Sequence, residues 1–110
     1  MLNVFENGDV ELTRGDTARL TVNISDDSGE AYEIQNGDEL TLSLKKSIKD
    51  DEVVMSKTIK GSDTFHIEPK DTADLSFGKY KYDVQLTTED GDVYTVIPTS
   101  TFEILTEVTR

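Results

Sequence analysis

The sequence predicts an all-β fold of about seven to nine strands. The clearest evidence is the stretch 78–86, in which apolar or aromatic side chains alternate with polar ones. Successive side chains of a strand point to opposite faces, so this alternation predicts one buried and one solvated face. Turn residues also recur roughly every 8–12 residues, as in folds made of two packed sheets. We therefore expect a single domain over residues 1–110, with its core between two layers.

In the N-terminal half, alternating apolar residues predict strands at residues 4–5, 10–12, 18–24, 32–34 and 40–44. The turns between them are rich in Asp, Ser, Asn and Gly, at residues 6–9, 14–16, 26–29 and 35–38. Asp and Ser side chains bond to the nearby backbone and Gly adopts positive φ, so these residue types favour chain reversal. The leucines of 40–44 could be read as helical, but their spacing of two predicts a strand.

In the C-terminal half, the same pattern predicts strands at residues 53–59, 64–68, 78–86, 93–97 and 102–108. Within 53–59, Val54 lies on the opposite side from Met55 and Ile59, which predicts an edge strand or a bulge. Pro69 ends a strand because it cannot donate a ladder hydrogen bond, and it begins a short helical turn predicted near 69–75. A hairpin turn is predicted at 89–92, and Pro98 is expected to separate the last two strands.

Composition limits the classes of function. The formal net charge is −12, from 23 acidic and 11 basic residues, which argues against binding to nucleic acid or anionic lipid. It also predicts little self-association except through a specific interface. Without cysteine there is no disulfide, no thiolate catalysis and no Cys-zinc site. Neither a signal-peptide pattern nor a membrane-spanning run is visible, so we expect an unexported small protein, complete or a fragment, with no membrane partner.

Three acidic clusters could supply oxygen ligands for calcium: Asp26/Asp27/Glu30, Asp50/Asp51/Glu52 and Glu89/Asp90/Asp92. The EF-hand pattern is absent, since Gly29 follows Asp26 by three residues and no Glu closes the loop. Two clusters could meet at one end of the fold, but Asp and Gly are also the ordinary residues of turns. The turn role is the simpler interpretation, and we assign no metal or cofactor site.

His66 is the single histidine, and the alternation places it opposite Phe65 and Ile67. We expect a solvated imidazole without the supporting groups that a general base or a metal site needs. Among 23 acidic residues, chance carboxylate pairs are certain, and none is marked as buried. No serine lies in a nucleophile-elbow context. The sequence thus predicts no catalytic residues and no enzymatic activity.

Two short motifs match known recognition sequences, but neither match is taken as functional. Arg14-Gly15-Asp16 is a tripeptide that integrins can read on an exposed loop, but it falls where a turn is needed and Gly15 serves that turn. Asn23-Ile24-Ser25 fits the glycosylation pattern, but a chain without an export signal would not meet the enzyme.

A tyrosine near the start of a late strand refines the fold class. In Greek-key sandwiches, such a tyrosine often bonds back to the preceding corner, and residues 74–80 resemble that corner with Tyr80 as the donor. Ser76 stands where Asp is usual, and there is neither a Cys pair nor a Trp. We therefore expect an immunoglobulin-like antiparallel β-sandwich that does not belong to the antibody family.

Several segments carry a family resemblance: residues 10–17 (VELTRGDT), 67–72 (IEPKDT), 78–86 (GKYKYDVQL), 90–96 (DGDVYTV), 101–104 (TFEI) and 107–109 (EVT). They look like small proteins encoded by phages and prophages of Gram-positive bacteria. In particular, they resemble the N-terminal β-sandwich module of phage baseplate upper proteins. The resemblance implies a structural or assembly role in a tail or baseplate, and location in the virion or the bacterial host cytoplasm.

The expected partners are therefore other protein subunits, either copies of the same chain or different proteins. Edge strands are the natural contacts, since an unpaired edge is a template for strand pairing, and we expect them at 53–59 and in the terminal strand. The alternative is a module that binds carbohydrate or a cell-surface polymer. Such modules display aromatic platforms, for which the candidates are Tyr32 and Tyr94.

Overall fold

The computed structural model describes residues 2–4, 8–26, 28–47, 49 and 52–106. In these ranges it contains one short helix and ten strands, one more than the upper end of the predicted range. The strands are β1 (Leu2–Val4), β2 (Val10–Thr13), β3 (Ala18–Thr21), β4 (Ile24–Ser25), β5 (Ala31–Tyr32), β6 (Glu39–Lys45), β7 (Met55–Lys60), β8 (Thr64–Ile67), β9 (Gly78–Thr87) and β10 (Val93–Leu105). The all-β prediction is confirmed. Parts of the predicted first strand, first turn and last strand lie outside the described residues.

Six strands form the main sheet, in the order β1-β2-β10-β9-β6-β7. Neighbours in this sheet are antiparallel, with one exception: β2 runs parallel to β10, with Val10 opposite Phe102. Two shorter antiparallel pairs, β3 with β8 and β4 with β5, make up the remaining β-structure of the described residues.

The core contains buried side chains from both the main sheet and the β3–β8 pair. In β6, Leu40, Leu42 and Leu44 are all fully buried, as the spacing of two predicted. Phe65 on β8 belongs to the same buried cluster, so the β3–β8 pair shares one core with the main sheet. Burying each of these large side chains stabilises the fold by about 1.5–3 kcal/mol.

The prediction of one continuous strand at 18–24 is wrong, because this segment forms two strands that pair with different partners. Along β3 the partner is β8, and the Val22 amide still donates to the Asp63 carbonyl at 2.8 Å. From Ile24 onwards the partner is β5, where Ile24 lies opposite Tyr32. The predicted strand at 32–34 is likewise shorter in the structure, since β5 ends at Tyr32.

The expectation that Pro98 separates two strands is also wrong, because β10 runs through it without interruption. The register between β10 and β9 shifts twice, between Thr95 and Ile97 and again between Ile97 and Ser100. Such bulges leave positions without a ladder hydrogen bond, which is what a proline inside a strand requires.

The helical turn predicted near 69–75 is present as α1 (Pro69–Thr72). The corner that follows it is closed by Tyr80, whose hydroxyl donates to the Ser76 carbonyl at 2.7 Å, as the sequence predicted. Among the described residues, no helix is long and apolar enough to cross a membrane.

Candidate functional site

The first candidate contact is β7, which lies at the end of the main sheet with no described strand beyond it. This confirms the edge strand predicted around residues 53–59. Lys57 lies opposite the buried Leu42, so its side chain is on the core-facing side of the sheet. There Lys57 Nζ donates to the His66 carbonyl at 2.8 Å and to Asp71 Oδ2 at 2.6 Å, which ties β7 to β8 and α1.

The contact between Lys57 and Asp71 also fixes the charge of the carboxylate. Burial of Asp71 disfavours its charged form, but three effects outweigh this: the hydrogen bond from Lys57, the backbone amide of Glu68 at 2.7 Å, and the positive charges of Lys57 and Lys70. The pKa of Asp71 therefore lies below its usual value. A charged pair thus links β7 to α1 at neutral pH.

The second candidate is the first half of β10. On one side β10 pairs with β9 along its length, whereas on the other side β2 pairs only with residues 102–105. The segment before β2 covers the middle of β10, since Asp9 Oδ1 accepts from the Thr101 amide at 3.0 Å. No described strand pairs with the outer side of residues 93–96, and we call this segment the free edge. The terminal strand predicted at 102–108 is not an edge over residues 102–105, because β2 pairs with them, and residues 107–108 lie outside the described ranges.

The free edge is unusual in its composition. Residues 93–96 begin the longest uncharged stretch of the sequence, which runs from 93 to 102. In the whole chain, 31% of the residues are charged. Val93 is 57% exposed and Tyr94 is 54% exposed, the two highest values among the large apolar side chains of the described residues. Proteins usually protect such edges with lysine, proline or a bulge. Here Pro98 and both bulges follow Val93 and Tyr94, and the first bulge falls at the end of the free edge, between Thr95 and Ile97.

A cleft of about 470 Å³ opens beside the free edge. Its walls come from β4, β5, β9, β10 and the residues that follow β4 and β9: Ile24, Ser25, Asp26, Tyr32, Leu86, Thr88, Tyr94, Thr95 and Val96. Tyr94 lies directly opposite Leu86, and such a pair shares one face of the sheet. Since Leu86 is buried, Tyr94 is an exposed aromatic side chain on the core-facing side of the sheet, at the mouth of the cleft.

Tyr32 was expected to be an exposed aromatic, but it is half-buried. Its hydroxyl donates to Asp38 Oδ2 at 2.5 Å, and the Gln35 amide donates to the same oxygen at 3.0 Å. These bonds lower the pKa of the buried Asp38, and the bond to Asp38 raises the pKa of Tyr32. The Tyr32 ring is consequently held in place against the cleft by a carboxylate that the sequence did not single out.

The acidic cluster at 26–30 forms a turn, as the simpler interpretation predicted. Asp26 Oδ1 accepts hydrogen bonds from the Ser28 amide, the Ser28 hydroxyl and the Glu30 amide, at 3.0, 2.6 and 3.0 Å. The bonds from Ser28 and Glu30 lower the pKa of Asp26. Within the described ranges, no group of three or more acidic or histidine side chains is placed to hold a metal ion. Asp27, Asp50 and Asp51 lie outside those ranges.

The third acidic cluster lies in the exposed hairpin turn between β9 and β10, where it was predicted. The Thr88 amide donates to the Asp92 carbonyl at 2.8 Å and closes this turn. Gly91 has a φ of +91°, a conformation that favours glycine. Three carboxylates thus lie immediately before the free edge, at Glu89, Asp90 and Asp92.

The remaining motifs have structural roles. His66 is exposed, as predicted, and only its backbone carbonyl takes part in the contact with Lys57. In the turn Arg14-Gly15-Asp16, the Gly15 amide donates to the buried Thr72 hydroxyl at 2.9 Å. The Arg14 guanidinium lies 4.2 Å from the centre of the Phe77 ring and donates to the Leu75 carbonyl at 3.3 Å. This tripeptide therefore packs against the segment that follows α1.

Residues 93–96 and the adjacent cleft can bind an extended chain by backbone pairing and accept an apolar side chain next to it. Sequence reasoning identified Tyr94 and the strand, but it did not identify the free edge itself. The signal was available in the uncharged stretch 93–102. A comparison of the chain with protein-family models and with curated proteins found no match.

Proposed function

We propose that the chain is a non-enzymatic structural or assembly module of a phage or prophage, of the tail or baseplate type, which acts through protein–protein contacts. The observation that carries the proposal is the free edge at residues 93–96. None of these residues is charged, and the exposed Val93 and Tyr94 are accessible to a partner. Exposed apolar groups beside an unpaired strand mark an interaction surface. The likeness of residues 67–72 and 78–86 to phage baseplate upper proteins supports the tail or baseplate type.

The proposed architecture is an immunoglobulin-like sandwich, antiparallel except for the β2–β10 pair, in which the β3–β8 pair faces the main sheet. The shared core around Phe65 supports this arrangement. The hydrogen bond from Tyr80 to Ser76 supports it as well, because a tyrosine corner of this kind recurs in such sandwiches. An experimental structure in which β3 and β8 pack elsewhere would contradict the assignment.

The proposed partners are other protein subunits, in the virion or in the cytoplasm of the bacterial host. Neither nucleic acid nor membrane is among them, because the net charge of −12 repels phosphate-rich surfaces. The same charge opposes contacts between copies of the chain unless a specific interface overcomes it.

The experiment is to induce the host strain that encodes the chain, purify the released particles and quantify the chain by mass spectrometry. We expect a constant ratio of the chain to known tail proteins across density-gradient fractions. If purified particles lack the chain while the cell lysate contains it, the proposal is wrong.

A carbohydrate-binding module is the second candidate, and the cleft is the observation that favours it. Tyr94 offers an exposed ring, and hydroxyl groups of Ser25 and Thr95 line the same space. A glycan array would support this alternative if binding were abolished by Tyr94→Ala. Absence of any bound glycan would leave the protein-contact proposal as the only one of the two with support.

A further inference from the structure

The proposed function leaves open what fills the free edge. Building on it, we infer that the occupant is an extended, lysine- or arginine-bearing segment of a different protein. This segment adds as a strand beside residues 93–96 and places an apolar side chain in the cleft. The occupant is thus neither a second copy of this chain nor a glycan.

The backbone of β10 defines the length of the added strand. From Val93, directly after the hairpin turn, no strand among the described residues pairs with its outer side. Further along, Gly8 approaches Ile97 and Ser100, where a Cβ on Gly8 would lie 3.7 and 3.0 Å from their side chains. Pro98 cannot donate to a ladder at all. Strand addition is therefore confined to about four residues, and side-chain contacts must supply the remaining affinity.

The cleft provides those contacts. Alternate side chains of an added strand point to opposite faces, so one set turns towards the face that Tyr94 shares with Leu86. There it meets Ile24 and Val96, in a space of about 470 Å³. This volume lies within the range of roughly 300–1,000 Å³ that is usual for binding pockets, and so it accommodates a large apolar side chain.

The charges around the site select a basic partner. None of the described residues that line the cleft is basic, and Asp26 lies at its rim. The turn before Val93 adds the carboxylates of Glu89, Asp90 and Asp92. Charges within a Debye length of about 8–10 Å act on an incoming chain at physiological salt. A second copy with a net charge of −12 is repelled, whereas a segment with lysine or arginine beside its apolar residues is attracted.

The edge strand β7 lacks these properties. Along β7, Lys57 bonds to His66 and Asp71, and the strand ends in a second lysine, Lys60. The exposed Lys60 disfavours a basic segment there. The free edge and β7 thus differ in charge, and of these two a basic segment is expected to add only at the free edge.

The test is an NMR titration of the ¹⁵N-labelled chain with capped eight-residue peptides. The basic probe is Lys-Val-Lys-Val-Thr-Val-Lys-Thr, and two analogues carry Glu or Thr in place of Lys. We expect the basic probe to shift the amides of residues 93–96 and 24–26 and to bind roughly tenfold more tightly than the neutral analogue at low salt. About 0.5 M NaCl should remove most of this preference, since surface charges are then screened.

Two further comparisons separate strand addition from attraction by charge alone. Two analogues of the basic probe are N-methylated at alternate residues, one along each edge of the peptide strand. Only the analogue that is methylated on the edge facing β10 should lose binding. Tyr94→Asp should abolish binding, whereas Val53→Asp, which alters another exposed apolar residue (43% exposed), should retain it. The amide spectra of both variants confirm that they remain folded.

The inference is overturned if the basic probe does not bind at about 1 mM, if the shifts map to β7, or if the acidic analogue binds as tightly. Equal binding of both N-methylated analogues excludes strand addition. A concentration-dependent dimer that shifts the same amides without peptide identifies a second copy as the occupant, which overturns this inference but leaves the proposed function intact. Absence of the chain from purified particles has the opposite consequence, because it refutes the proposed function and leaves the peptide result unchanged.

Discussion

Replacing Tyr82 by phenylalanine tests how the segment before β2 is attached to the core. Tyr82 is buried, and its ring meets Phe102 edge to face with centroids 5.5 Å apart. Its hydroxyl donates to the Gly8 carbonyl. Tyr82→Phe keeps the ring and its contact but removes this bond, so any loss of stability comes from the hydroxyl alone.

The expected cost at pH 7 is about 1 kcal/mol, the net contribution of one intramolecular hydrogen bond. Gly8 is half-buried, so water can reach the carbonyl in part, which keeps the cost from rising to that of a fully buried unpaired group. For a domain of this size, 1 kcal/mol lowers the melting temperature by roughly 4 °C.

Alkaline pH gives a second measurement on the same variant. Burial, with a smaller effect from the Asp9 carboxylate, raises the pKa of Tyr82 to about 12. In the unfolded chain, a tyrosine pKa is about 10. The folded state therefore holds the proton more tightly, and this stabilisation is complete below pH 10 and disappears as the pH rises towards 12. Tyr82→Phe lacks this ionisation, so its disadvantage should shrink between pH 9 and 11.5.

The assay is urea unfolding followed by circular dichroism at pH 7, 9 and 11.5. Tyr94→Phe is the matched control, because Tyr94 is 54% exposed and removal of its hydroxyl should not change the stability at pH 7. The reasoning is refuted if Tyr82→Phe is as stable as the wild type at pH 7, or if its disadvantage grows at pH 11.5.

Three other substitutions test the packing of β8, α1 and the corner. Phe65→Ala removes a fully buried ring from the shared core and should cost about 3–5 kcal/mol in urea unfolding; a loss below about 1 kcal/mol would mean that β8 does not pack on the main sheet. Asp71→Asn should cost about 1–3 kcal/mol at pH 7. Since the pKa of Asp71 is lowered by folding, the wild type should lose that advantage as the pH falls below about 4, and an undiminished difference at pH 2 would contradict the pairing with Lys57. Tyr80→Phe should cost about 1 kcal/mol through the lost bond to Ser76, and unchanged thermal unfolding would show that the corner bond contributes nothing.

The local structure could be predicted from the sequence wherever one face of a strand is buried. The leucines of β6 and the aromatic residues of β9 alternate with polar neighbours, and this period of two identified both strands. The bond from Tyr80 back to the preceding corner could be predicted because residues 74–80 resemble the tyrosine corner of Greek-key sandwiches.

The choice of partner strands could not be predicted, because it depends on contacts between distant parts of the chain. The alternation at 18–24 is the same on both sides of Val22, although the partner changes from β8 to β5 there. Pro98 was read as a break, but bulges that depend on β9 accommodate it within β10. Local pattern does not encode which strand lies alongside which.

The candidate site was predicted only in part, for the same reason. Tyr94 was identified as an exposed aromatic, but its place beside an unpaired edge depends on how far β2 extends along β10. Tyr32 was expected to be exposed, but the buried Asp38 binds its hydroxyl. A charge-free stretch in a chain of net charge −12 was the one sequence signal that marked the free edge.

The most direct measurement compares two variants during particle assembly. Cells that lack the native gene would supply either Tyr94→Asp or Val53→Asp, and each chain would be quantified in the purified particles. With the free edge as the contact surface, the Val53→Asp chain enters particles at the wild-type ratio and the folded Tyr94→Asp chain is excluded. Equal incorporation of the two chains would contradict the assignment of residues 93–96 as the place where this protein meets its partner.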